Sequence, residues 1–129
     1  RTIKNSLNPS GHAAIQGITI QDDLFERYRV NEDFIQKYIF PGGFLPSLGY
    51  IRKLTKKNKL KLEKINSYSE DYAKTLLTWK NNFFNAWDNI TPLGFDESFK
   101  RMWEFYLSYC EAGFKAKNID LIQFSVSNK

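Results

Sequence analysis

Four side chains could carry chemistry in this sequence: the only cysteine, Cys110; the only histidine, His12; Tyr72; and Gln16. As a thiolate Cys110 would be a nucleophile. It falls, however, on a helical stripe with Trp103 and Tyr106, and apolar surroundings raise a thiol's pKa and make it inert. Tyr72 opens an aromatic helix, where its ring could be core while its hydroxyl needs a partner if buried. Gln16 interrupts the apolar run AAIQGITI at residues 13–20. A buried amide there costs roughly 1–3 kcal/mol unless it is hydrogen-bonded, so Gln16 is flagged for function, with an exposed place on an edge strand as the alternative. His12 sits in a turn and reads as surface.

Several reaction classes are excluded by what is missing. A single cysteine and a single histidine allow neither a disulfide framework nor the usual zinc spacings. There is no Ser/His/Asp elbow, no Walker-type loop and no GxGxxG after a strand. Gly42 and Gly43 do not form a phosphate cradle, so a nucleotide-type cofactor would be held elsewhere or by sequence outside the chain.

The elements that must position these residues alternate between helix and strand. Residues 1–7 read as the tail of a helix, LNPSG (7–11) as a stop and turn, and residues 13–20 as a buried strand. Asp23 and Glu26 fit a capping box for a helix carrying Leu24, Phe25 and Tyr28. Asn31 looks like a second cap, followed by Phe34, Ile35, Tyr38 and Ile39 on one stripe, and Pro41 stops that helix. Pro46 and Ser47 open another, with Leu48, Ile51 and Leu54, which runs into the basic stretch KLTKKNKLK at residues 53–61. Residues 60–65 are a candidate strand. Ser69 is placed as the cap of a helix carrying Tyr72, Leu76, Trp79, Phe83 and Trp87. Asp96 or Ser98 caps one carrying Phe99, Met102, Trp103, Tyr106, Cys110 and Phe114. Residues 120–126 alternate and close the chain as a strand.

With 129 residues, 42% hydrophobic and 26% charged, the chain has the composition of one folded unit. No apolar run approaches the roughly 18–20 residues that cross a bilayer, and no signal-peptide pattern opens the chain, so a cytoplasmic location is expected. The net charge of +5 points mildly toward anionic partners. Residues 33–47, DFIQKYIFPGGFLPS, raise the remaining question: bulky apolar side chains crowd a turn that usually takes small polar ones.

At YIFPGGFLPS the sequence resembles the cyclopropane-fatty-acyl-phospholipid synthases, a family of S-adenosylmethionine-dependent lipid methyltransferases. LNPSG is similar to the family's LKPGG before the fifth strand of its fold. The similarity continues through IQGITI, DDLFERYRVNEDFIQKYIFPGGFLPS, EDYAKTLLTWKNNFF and FKRMWEFYLSYCEAGFKAKNIDLIQFSV, essentially the whole chain, and IFPGG-x-LPS, DY-x-x-TL-x-x-W and YC-x-x-GF-x-x-x-x-ID are its most specific motifs. The resemblance implies an α/β fold, the helix-rich C-terminal part of a Rossmann-like class I methyltransferase domain with about three strands. All of residues 1–129 would belong to that one domain, with its cofactor-binding half absent and the piece inactive alone. It implies transfer of a methylene from S-adenosylmethionine to the cis double bond of an unsaturated phospholipid acyl chain, with a bound bicarbonate as base.

By the same resemblance Tyr72 donates to that bicarbonate, and Gln16 and the Ile18 main chain bind it, although many members have His where Gln16 stands. Cys110 matches the cysteine usually assigned to the active site. Phe40, Gly42, Gly43, Phe44 and Leu45 would line or gate the passage of an acyl chain, and Tyr28, Tyr38, Trp79, Trp103 and Tyr106 join Phe40 as candidates for a cation-facing wall. The expected partners are membrane phospholipid, through peripheral contact at the inner face, and a homodimer is possible; nucleic acid is not expected. The alternative is a non-catalytic basic helical module that binds anionic membrane or nucleic acid through residues 53–61.

Overall fold

The computed structural model describes residues 1–128. Three strands, His12–Ile20 (β1), Leu60–Ser67 (β2) and Ile119–Asn128 (β3), form an antiparallel sheet in the order β1-β3-β2. The α-helices are Thr2–Ser6 (α1), Asp22–Val30 (α2), Leu48–Lys57 (α3), Ser69–Asn85 (α4), Trp87–Ile90 (α5) and Glu97–Lys115 (α6), with a π-helix at Ile35–Ile39 and a 3-10 turn at Thr91–Leu93.

The last strand in sequence is the middle strand in space because it carries apolar side chains on both faces. Ile122, Phe124 and Val126 pack on one side with Leu60, Ala13, Ile15 and, from outside the sheet, Leu7, Leu48 and Ile51. Ile119 and Leu121 pack on the other side against Ala73, Leu76, Leu107 and Phe114 of α4 and α6, together with Ile18 of β1. The sheet therefore separates α3 from the α4–α6 pair. Alternation with period two would put Leu62 and Ile65 of β2 on opposite faces. A bulge prevents this: Leu62 opposes Val126 and Ile65 opposes Phe124, so Glu63 and Lys64 together stand across from the single Ser125.

The caps differ from the sequence expectation in three places. Asp23 does not cap α2; its neighbour Asp22 instead accepts the Gly49 N–H at 2.9 Å, tying α2 to the first turn of α3. Asn31 donates its side-chain amide to the Arg27 carbonyl and closes α2. The segment after it is capped by Asp33, whose Oδ1 accepts the Gln36 N–H at 2.9 Å while Gln36 Oε1 accepts the Asp33 N–H at 3.0 Å. That reciprocal box opens a widened, π-helical turn at Ile35–Ile39.

Ser69, expected as a cap, lies inside the first turn of α4 and donates its hydroxyl to the Phe114 carbonyl at 2.7 Å. It thus fastens the start of α4 to the end of α6. Ser47 and Asp96 cap as expected, accepting from the N–H groups of Tyr50 and Phe99. Trp87 is not on the preceding helix, since α4 stops at Asn85 and Trp87 begins α5.

Leu107 is 2% exposed at the centre of the α4–α6–β3 contact. Leu107→Ala is expected to lower unfolding stability by about 2–5 kcal/mol, measured by urea denaturation, because the cavity cannot close against three packed elements.

Candidate active site

The face of the sheet under α4 and α6 gathers most of the chemistry-bearing side chains. Ile18, Tyr72, Trp103, Tyr106 and Cys110 all pack around the same buried cluster. Tyr72 is in the first turn of α4, with its ring edge-on to Phe114 at 4.9 Å and to Trp79 at 5.9 Å. Tyr106 and Cys110 are one turn apart on α6, which is why helical spacing brings them to one face. Tyr106 lies against Trp103 at 4.8 Å and meets Phe40, arriving from the turn after the π-helix, at 6.2 Å.

Burial sets the protonation state of this group. The Cys110 thiol is pushed up to about 11, first by loss of solvent and then by the negative charge of Asp33. The Tyr106 hydroxyl is pushed up to about 12 by burial, then by Cys110 and Tyr72. Tyr72 is raised as well, by burial and then by Cys110, with no hydrogen bond to offset either. At neutral pH the cluster therefore presents two hydroxyls and a thiol, all protonated and all donors, and no ionised nucleophile.

The other expected site residues divide. Gln16 is exposed, so the reading of a buried amide is corrected: its strand is an edge strand, and Gln16 Oε1 accepts from Gln123 Nε2 across the sheet at 2.8 Å. It points to the same face as Ile18, two residues on. The Ile20 N–H bonds to the Pro46 carbonyl at 3.1 Å, on the side away from β3. By the alternation of an antiparallel ladder, the main-chain groups of Ile18 and Gln16 also face that outer edge.

The turn at residues 40–47 is split between two surroundings. Phe40 reaches the cluster through Tyr106, whereas Phe44 packs on Phe25 at 5.7 Å and Tyr28 at 5.8 Å. Leu45 donates its N–H to the Tyr28 hydroxyl at 3.1 Å. Gly42 holds a positive φ of 78°, and a Cβ on Gly43 would come within 2.9 Å of the Phe40 carbonyl oxygen, so both glycines are required by the backbone. His12 is paired with Glu63 at 3.0 Å on the exposed sheet surface, away from the cluster. Sequence reasoning missed Asp33, whose charge bears on Cys110, Tyr109 and Tyr28. The signal was present in the Asp33-x-x-Gln36 spacing of a capping box.

A family model described as mycolic acid cyclopropane synthetase matches residues 1–124. The chain belongs to this family. It is 40% identical over 125 residues to the tuberculostearic acid methyltransferase UfaA1 of Mycobacterium tuberculosis, covering 96% of this chain and 29% of that protein. It is 37% identical over 92 residues to the cyclopropane-fatty-acyl-phospholipid synthase of Escherichia coli, covering 71% of this chain and 24% of that protein. Among solved structures it superposes on the mycolic acid cyclopropane synthase CmaA1 complexed with SAH and CTAB, with a TM-score of 0.80 and 26% identity over 93% of this chain and 45% of that one.

The chain thus spans less than a third of the length of these curated relatives. The expected fold holds: a helix-rich part of a class I methyltransferase domain with three strands. The cyclopropane synthetase family comprises S-adenosylmethionine-dependent enzymes that act on lipid acyl chains.

Because the native Cys110 pKa lies above the ordinary value of 9.0, the folded state favours the protonated thiol. The resulting stability is fully present below about pH 9 and is lost as pH rises toward 11. The urea midpoint should fall across that interval, and Cys110→Ala should flatten the fall. Alkylation of the thiol should be slow at neutral pH and accelerate over the same range.

Proposed function

We propose that this chain is the lipid-side, C-terminal part of a cyclopropane synthase. In this reading a methylene passes from S-adenosylmethionine to the cis double bond of an unsaturated phospholipid acyl chain. The observation that carries it is the cluster of protonated donors, Tyr72, Tyr106 and Cys110, set among aromatic rings and without an ionised nucleophile.

The sequence contains no glycine-rich strand-to-helix loop, so the grip on the cofactor belongs to sequence outside the chain. When bound, S-adenosylmethionine supplies an electrophilic methyl group. Transfer of that methyl to an alkene would break its bond to sulfur, release S-adenosylhomocysteine and leave a positive charge on the acyl carbon, and loss of one proton from the transferred methyl would close the ring. Aromatic faces such as Tyr106, Trp103 and Phe40 stabilise a cation without bonding to it. Cys110, protonated, does not trap it, whereas a thiolate would.

The proton needs an acceptor, and in this reading a small oxyanion such as bicarbonate takes it, with Tyr72, Gln16 and the Ile18 main chain as the expected donors. Tyr72 has an unengaged hydroxyl. Gln16 has its oxygen taken by Gln123 and its amide N–H groups left to donate. The Ile18 main chain lies at the outer edge of β1. All of these donors are neutral, so an anion would be held without charge assistance from Gln16. The non-catalytic module leaves the cluster of Tyr72, Tyr106 and Cys110 without a role.

The complete enzyme containing this segment, incubated with S-adenosylmethionine and unsaturated phospholipid, is expected to yield cyclopropane lipid by mass spectrometry. Recovery of neither cyclopropane nor methylated lipid would refute the reading. In that enzyme Tyr72→Phe should lower kcat by about 10²–10³-fold, the usual loss for one preorganised donor, with little change in Tm. Full activity in the variant would remove Tyr72 from the site.

A further inference from the structure

The net positive charge of the chain comes from one segment. Between Asp33 and Glu63 there is no acidic residue, while seven of the chain's 19 lysines and arginines fall there. The remainder then holds twelve cations against 14 carboxylates, so the whole net charge of +5 comes from residues 34–62. Elsewhere cations sit beside acids, as in Lys74 with Asp71, Lys100 with Glu97 and Lys117 with Glu70. Arg52, Lys53, Lys56, Lys57 and Lys59 are exposed and have no ion pair among the described residues.

The same segment exposes its apolar side chains. Tyr38 is 56% exposed, Phe40 55%, Phe44 47% and Leu54 40%. On α3, Tyr50, Lys53, Leu54 and Lys57 follow one another at helical spacing along one exposed stripe, so rings, aliphatic carbons and ammonium groups share a surface. Tyr50 and Phe44 both pack on Phe25, which joins this stripe to the turn that reaches Tyr106 through Phe40. Inward, Leu48 and Ile51 hold α3 on the sheet. Helix stability does not require the outward stripe to be basic along its length, because the macrodipole favours cations only in the last turn.

We infer that residues 34–62 form a docking surface for an anionic phospholipid bilayer, with the lysines on the headgroups and the exposed rings at the interface. Mixed basic and aromatic surfaces bind interfaces by this combination of attraction and partial insertion. The choice of a bilayer over another polyanion rests on the proposed lipid chemistry, because the surface runs directly into the turn that carries Phe40 to the candidate site.

The test is co-sedimentation of the complete enzyme containing this segment with vesicles of phosphatidylcholine containing phosphatidylglycerol, set against pure phosphatidylcholine. Binding should require the anionic lipid and weaken with salt. Lys53→Gln, Lys56→Gln and Lys57→Gln together should weaken it about 10²-fold, at roughly fivefold per cation, with an unchanged circular dichroism melt. A control of equal charge, Lys74→Gln, Arg101→Gln and Lys117→Gln, should retain most of the binding.

Equal loss in both triple variants, equal binding to neutral vesicles, or tighter binding to an oligonucleotide than to the anionic vesicles would overturn the inference. Turnover of detergent-dispersed phospholipid by the complete enzyme separates the two proposals. Activity there without vesicle binding sinks only the docking surface, and vesicle binding without activity in any lipid form sinks only the catalytic reading.

Discussion

The structure depends on burying the apolar side chains that β3 carries on both of its faces. Ile122, Phe124 and Val126 line one side along most of its length, while Ile119 and Leu121 line the first part of the other, beyond which Gln123 is exposed. Such a strand must be paired at both edges and covered wherever a face is apolar. β1 and β2 satisfy the edges, α3 helps cover one face, and α4 with α6 cover the Ile119–Leu121 part of the other. Everything of chemical interest follows from which side of β3 a residue falls on. Tyr72, Tyr106 and Cys110 lie on the α4–α6 side, and the basic helix lies on the opposite side.

One stretch of chain links these two sides near Tyr106. Residues 40–47 cross the outer edge of β1, where the Ile20 N–H bonds to the Pro46 carbonyl and Ile20 bridges to Ser47. The crossing is held at three further points: Gln36 Nε2 donates to the Gly43 carbonyl at 3.0 Å, Leu45 donates to Tyr28, and Gly42 takes the left-handed backbone that lets the chain reverse. A turn so constrained can carry large apolar side chains without collapsing them inward. That is the physical answer to the apolar crowding of residues 33–47: the backbone is fixed by polar contacts, and the rings are left to face other rings.

The ionic groups of the α4–α6 pair are kept apart from the aromatic cluster. Glu111, 7% exposed, receives Lys80 at 3.1 Å and Lys115 at 2.6 Å, and Lys80 also lies 3.4 Å from the Ser108 hydroxyl. A carboxylate buried without such partners would cost several kcal/mol; satisfied, it clamps the two helices. Adjacent in sequence but about a quarter-turn away around the helix, Cys110 faces rings instead of cations and keeps its proton. Two neighbouring residues thus hold opposite protonation states because of which way α6 is rotated.

The sequence alone determined the parts governed by short-range periodicity. These were the aromatic faces of α4 and α6, the alternation of β3, the caps at Ser47 and Asp96, the stop at Pro41, and the motif pattern that points to a lipid methyltransferase family. It could not decide what depends on partners far along the chain. Ser69 reads as a cap, yet the Phe114 carbonyl, 45 residues away, takes its hydroxyl. Asp22, not Asp23, became the useful acid because Gly49 offered an N–H across 27 residues. Gln16 was ambiguous until the order β1-β3-β2 put its strand at an edge, and β2 was obscured by a bulge that only its pairing with β3 requires. Local spacing is written in neighbouring residues, whereas burial, pairing and protonation are settled by which distant segments pack together.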